Sequence, residues 1–316
     1  MKKVVFICIL LICQMSILEL KAQLNIKASK EEATEQLNKL KETSTVFFYK
    51  KSRNYPIDSI KQAITSSWDL TPLIFEDISK AEKYMTNPKF SYFDIEGYVN
   101  TSSSQALTYS NVHYYLVLRM YKEENKKGKI ITTPLCRIEL FPNYETMKIG
   151  TPPAYSRGYI DPEEVISELY DKGIFYNWSP ILLKAQLAIL STELKNNERR
   201  WVYKSIKAPN LSEVISNDTL YIPHYLLVSF NALSGKEGKQ EENILSGYKY
   251  NYKVCNESEL FQIFEVEKRG RLLFEYVKSS SDKFITIYDV KDKTILYRRY
   301  SPMSYNIKKR DFEVIE

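Results

Sequence analysis

The chain has 316 residues, with 45 lysines and arginines against 39 aspartates and glutamates, for a formal net charge of +6. That balance is too mild for a nucleic-acid track, and the basic stretches ENKKGK and IKKRD have acids beside or within them, as solvated faces do. The only histidines are His113 and His224, with no HExxH, no CxxC and no G-x-S-x-G ahead of a helix, so His- and Cys-built metal sites are excluded and no cofactor is expected.

The N-terminus opens with MKK, continues as an unbroken apolar run from Val4 to Cys13, and reaches Leu20-Lys21-Ala22 before Gln23. This pattern predicts a signal peptide over 1–22, cleaved after Ala22, and an exported protein that is periplasmic or secreted. Gln14, Ser16 and Glu19 break the run well short of the roughly 20 apolar residues a spanning helix needs. Cys8 and Cys13 follow isoleucines inside the run rather than a small residue, which argues against a lipid anchor. Cleavage removes three lysines and one glutamate, leaving a net charge of +4 and two cysteines, Cys136 and Cys255. Two thiols in a chain this long are expected to be buried apolar residues rather than a disulfide framework.

Residues 23–150 read as one α/β domain. Ser29 and Glu32 form a capping box ahead of Ala33, Leu37 and Leu40 at helical spacing. A strand follows over 45–50, then a helix with Pro56 in its first turn and Ile57, Ile60 and Ile64 on one face, ending near Trp68. Strand 70–77, helix 78–85 and strand 89–95 complete a βαβαβ order. A polar loop, VNTSSSQALTYSN, leads to two longer strands at 112–123 and 134–142.

Residues 151–208 read as a linker and helical hairpin. Asp161-Pro162 and Ser179-Pro180 start helices over 162–172 and 180–197. The second is apolar around most of its circumference, which predicts a buried strut. Residues 209–316 then repeat the first domain's order, with strands at 218–227, 248–254, 271–277, 283–290 and 293–300 and a helix at 256–266. The expected fold is therefore α/β, with two related, Rossmann-like mixed-sheet domains formed by a degenerate tandem duplication and joined by the strut. One helix is missing from the second copy, where NALSGKEGKQEENILSG replaces it, so another element has to cover that sheet face.

Three stretches, namely the leader ending in Ala-Gln, the segment WDLTPLIFED, and the ending DKFITIYDVKDKTILYRRYSPMSYNIKKRDFEVI, resemble uncharacterised exported proteins of the Bacteroidetes type. The likeness covers about a third of the chain, implies envelope localisation, and brings no catalytic residue with it.

Two surfaces are candidates for contact with a ligand or partner. Lys50, Lys51 and Arg53 sit at the carboxyl end of the first strand beside a helix N-terminus, where open α/β sheets bind anions. Pro56 removes an amide donor there and no glycine lets the backbone approach, so the turn reads first as scaffold. Tyr248, Tyr250 and Tyr252 alternate on one face of a predicted strand and offer rigid amphipathic area to an envelope protein or a glycan. The expected role is a non-catalytic binding or assembly module of the bacterial cell envelope. The competing reading is an exported hydrolase with a carboxylate or Ser/Lys site in an interdomain cleft.

Overall fold

The computed structural model describes residues 30–49, 55–103, 108–149 apart from 127 and 129, 162–231 apart from 199 and 201, 236–239, 243–280 and 282–315. The chain runs α1 (Lys30–Lys41), β1 (Ser44–Tyr49), α2 (Ile57–Ser67), β2 (Leu73–Asp77), a 3-10 turn into α3 (Ala81–Met85), β3 (Phe90–Ser103), β4 (Thr108–Glu124) and β5 (Ile130–Leu140). Then come α4 (Tyr144–Lys148), α5 (Pro162–Lys172), α6 (Pro180–Lys195), β6 (Ile206–Lys207), α7 (Leu211–Asn217), β7 (Leu220–Pro223), β8 (Val228–Phe230) and β9 (Glu237–Lys239). The chain closes with β10 (Tyr252–Cys255), α8 (Glu257–Phe261), β11 (Leu272–Ser279), β12 (Asp282–Asp289), β13 (Thr294–Ser301) and α9 (Lys309–Glu313).

The result is a mixed α/β protein with two mixed sheets. In the first the order is β2-β1-β3-β4-β5, with β1 parallel to both β2 and β3, and β4 antiparallel to β3 and β5. In the second the order β10-β7-β11-β12-β13 has the same sequence of senses, with β6 added antiparallel outside β13. β8 and β9 form a separate hairpin within the segment that lacks the covering helix.

Burial explains the local choices. β1 is buried from Thr45 to Phe48, as a central parallel strand covered on both faces must be. α2 turns Ile60, Ala63 and Ile64 inward and stops at Trp68, whose indole Nε1 donates to Thr71 Oγ1 at 2.9 Å. Ser179 caps α6 by accepting from the Leu182 amide, with Pro180 in the first turn. α6 then serves two cores: Ile181, Leu182, Ala185 and Ile189 pack with the second sheet, and Leu183, Leu187, Leu190 and Leu194 with the first. The linker helix thus supplies core residues to both sheets.

Four expectations change. The polar loop 99–111 lengthens the β3–β4 hairpin instead, with Val99 paired to Val112 and Ser103 to Thr108; backbone pairing carries a hairpin beyond the reach of any apolar alternation. The strand expected over 218–227 ends at Pro223, and His224 lies exposed in a 3-10 turn. The strand expected over 248–254 shrinks to 252–255. The helix expected over 256–266 changes at Gln262 into a π-helical turn that keeps the consecutive Ile263 and Phe264 both buried. Cys136 and Cys255 are free and buried, and among the described residues no helix is long and apolar enough to cross a membrane.

A polar cavity in the seam as candidate site

The sheets meet where β5 approaches the second sheet. Alternation along β5 gives Cys136, Ile138 and Leu140 to the first core and turns Arg137 and Glu139 across the seam. The second sheet answers with Glu275 on β11, Thr286 and Tyr288 on β12, and Arg298 on β13, all at most 4% exposed.

Every charge here is engaged. Arg298 donates from Nη2 to Glu139 Oε2 at 3.2 Å, from Nη1 to Thr286 Oγ1 at 3.1 Å and from Nε to the Val202 carbonyl at 3.2 Å. Glu275 accepts from Asn177 Nδ2 at 2.9 Å and from Gln186 Nε2 on one oxygen, and from the Tyr288 hydroxyl on the other. Asn177 also donates to the Glu139 carbonyl and accepts from the Phe141 amide, both at 2.8 Å, so one side chain ties β5 to β11. Arg200 forms a bidentate pair with Glu193, at 2.7 and 3.1 Å. Burial pushes the Glu275 carboxyl above the usual carboxylate range, with the donated hydrogen bonds opposing it.

Ile138, Glu139, Gln186, Ile189, Leu190, Arg200, Glu275, Tyr288 and Arg298 enclose a cavity of about 20 Å³. That is room for about one water molecule, not for an organic substrate. Further along the seam His113 Nδ1 lies 2.9 Å from Ser279 Oγ, and the imidazole stacks on Tyr115. Burial holds the His113 pKa below the ordinary histidine value, and Ser279 is only 3% exposed. Asp282, whose charge acts on His113, accepts from the Tyr300 hydroxyl at 2.8 Å and the Met303 amide at 3.0 Å. These three residues are seam contacts rather than a reachable nucleophilic triad. Among the described residues no group of three or more His, Cys, Asp or Glu is placed to share a metal ion.

The sequence candidates lie elsewhere. Lys50, Lys51 and Arg53 fall outside the described residues. Tyr248, Tyr250 and Tyr252 are brought together, with ring centroids 5.6 and 6.2 Å from Tyr248 to its two neighbours. Tyr248 itself is buried against Phe312, Tyr250 is half-buried, and Tyr252 is exposed. Asp289 holds the turn between β12 and β13, its Oδ1 accepting from the amides of Lys291 and Asp292.

In the sequence, Arg137 and Glu139 alternate with apolar residues as the solvent face of a strand does, and the two visible signs of a buried polar seam are Glu275 inside the apolar run RLLFEYV and Gln186 inside the apolar α6. No family model matches this chain, and comparison with curated proteins and with solved structures gives no match either.

Proposed function

We propose that the chain is a non-catalytic binding or assembly module of the bacterial cell envelope, exported through the leader 1–22. The observation that carries this reading is the tightly packed seam, where Glu139 and Glu193 pair with Arg298 and Arg200 and Glu275 is held by Asn177, Gln186 and Tyr288 around a cavity of about 20 Å³. A hydrolase between the halves needs an open cleft with a reachable acid or nucleophile, and among the described residues the seam shows neither.

The partner is an envelope protein or a glycan, and Tyr252 with the adjoining Tyr250 is the contact. Tyrosine suits such a surface because its ring stays rigid and its hydroxyl stays wet. The fold itself is read as two degenerate, Rossmann-like copies, supported by the shared strand order and sense of the two sheets. It is also supported by the matching strand–helix–strand passages from β2 to β3 and from β10 to β11.

The test is a thermal-shift screen of the purified protein against sugars, peptidoglycan fragments, nucleotides and peptides, with cross-linking in intact envelopes beside it. A partner captured by cross-linking and lost on Tyr250→Ser plus Tyr252→Ser supports the reading. Turnover or a large shift with a hydrolysable small molecule, unaffected by those substitutions, overturns it. Mass spectrometry of the exported protein checks the leader, with an N-terminus at Gln23 expected.

A further inference from the structure

Of the buried polar atoms without a hydrogen-bond partner among the described residues, three belong to one group of seam side chains: Glu139 Oε1, Gln186 Oε1 and Arg200 Nη1. All three side chains line the same cavity. A buried polar atom left unpaired carries its full desolvation penalty, larger for a charged group than for a neutral one, so three on one small space need a common explanation. The other unpaired buried atoms, such as Trp178 Nε1 and Tyr248 OH, belong to residues that do not line this cavity.

The donor and acceptor pattern identifies the occupant. Gln186 points its amide nitrogen at Glu275 Oε1, the oxygen that also accepts from Asn177 Nδ2. Its carbonyl oxygen is therefore the atom left over. Glu139 uses Oε2 for Arg298, which leaves Oε1 as a second acceptor. Arg200 uses Nε and Nη2 for Glu193, which leaves Nη1 as a donor. Two acceptors and one donor are the complement of a molecule that donates twice and accepts once.

We propose that the seam cavity is a binding site for a single water molecule, which donates to Glu139 Oε1 and Gln186 Oε1 and accepts from Arg200 Nη1. The volume agrees, since a cavity of about 20 Å³ exceeds the roughly 10–15 Å³ one water requires and is too small for two. Ions fit worse. A chloride would face the carboxylates of Glu139 and Glu275, and a sodium or ammonium ion would face the guanidinium groups of Arg200 and Arg298, in a place with little solvent to screen either. The water joins residues from β5, from α6 and from the segment after α6. Through Gln186 it reaches Glu275 on β11, so it pins both sheets to the strut.

The experiment is a crystal structure of the full chain at about 1.5 Å resolution or better, with parallel crystals soaked in bromide and in rubidium. The expected result is one fully occupied solvent peak within about 2.6–3.2 Å of all three atoms, with no anomalous signal at that position from either soak. An anomalous peak there replaces the water with an ion and overturns the proposal. So does an empty cavity in which Glu139, Gln186 and Arg200 have turned to other partners. Both results bear on the occupant alone and leave the envelope-partner reading to its own cross-linking test.

Discussion

Glu139 on β5 and Arg298 on β13 form an ion pair across the seam at 3.2 Å, with side chains 5% and 3% exposed. A buried pair owes its net effect to a small difference between desolvation and attraction, whereas one partner left alone pays the whole desolvation term. Glu139→Ala and Arg298→Ala should each destabilise by about 3–5 kcal/mol. Glu139→Met with Arg298→Met should cost less than either single change. Urea unfolding of the three variants measures this, and a double variant worse than both singles contradicts it.

Asp94 on β3 is buried, with the Tyr170 hydroxyl 3.3 Å away as a donor, and burial raises its pKa from 3.8 to about 6. The folded state therefore holds a proton that the unfolded chain has released, so stability falls as pH rises through this window. The gap, at about 1.4 kcal/mol per pH unit, comes to about 3 kcal/mol lost in full above pH 6. Asp94→Asn keeps the Tyr170 hydrogen bond and removes the charge. It should be more stable than the parent at pH 8, and the two should converge below about pH 4; equal stability at pH 8 refutes the assignment.

Lys278 on β11 is 7% exposed, with Nζ 3.2 Å from Met147 Sδ and over the rings of Phe230 and Tyr305. Burial lowers its pKa from 10.5 to about 8, against a weaker opposing pull from Glu237. A lysine with a depressed folded pKa weighs against the fold below that value, and its cost fades as pH rises from about 8 to 10.5. Lys278→Met should therefore stabilise the protein at pH 7 by about 1–3 kcal/mol, the ring contacts offsetting part of the gain. The gain should shrink by pH 10. Stability measured across pH 7 to 10 tests this, and a loss at pH 7 means the aromatic cage outweighs desolvation.

Leu182 and Leu187 sit on opposite faces of α6, in different cores. Either change to alanine should cost about 2–5 kcal/mol. Because one helix fills both cores, Leu182→Ala should speed amide exchange in β1 and β3 of the first sheet as well as in β7 and β11 of the second. Loss of protection confined to the second sheet would show that the halves unfold independently.

The order of strands and helices was legible because capping residues, prolines and apolar spacing act locally. Ser179-Pro180 and the all-round apolar α6 even announced a buried helix. What was not legible came from pairing at long range. The hairpin ends around Val99 and Val112 carry no apolar pattern, and Tyr248 closes a 3-10 turn, with its ring against Phe312 from the far C-terminus, where its alternation with Tyr250 and Tyr252 reads as strand. The seam escaped for the same reason. Glu139 and Arg298 lie 159 positions apart, and each alone reads as a solvated strand residue.

The helix α6 also sets what this chain can no longer do. A protein made of two look-alike halves would ordinarily be modular, open to permutation, to insertion at the joint, or to exchange of one half for a foreign domain. Here the joint is itself core material for both sides. Any recombination that separates the halves strands an apolar helix face in water and takes core residues from one of the two sheets.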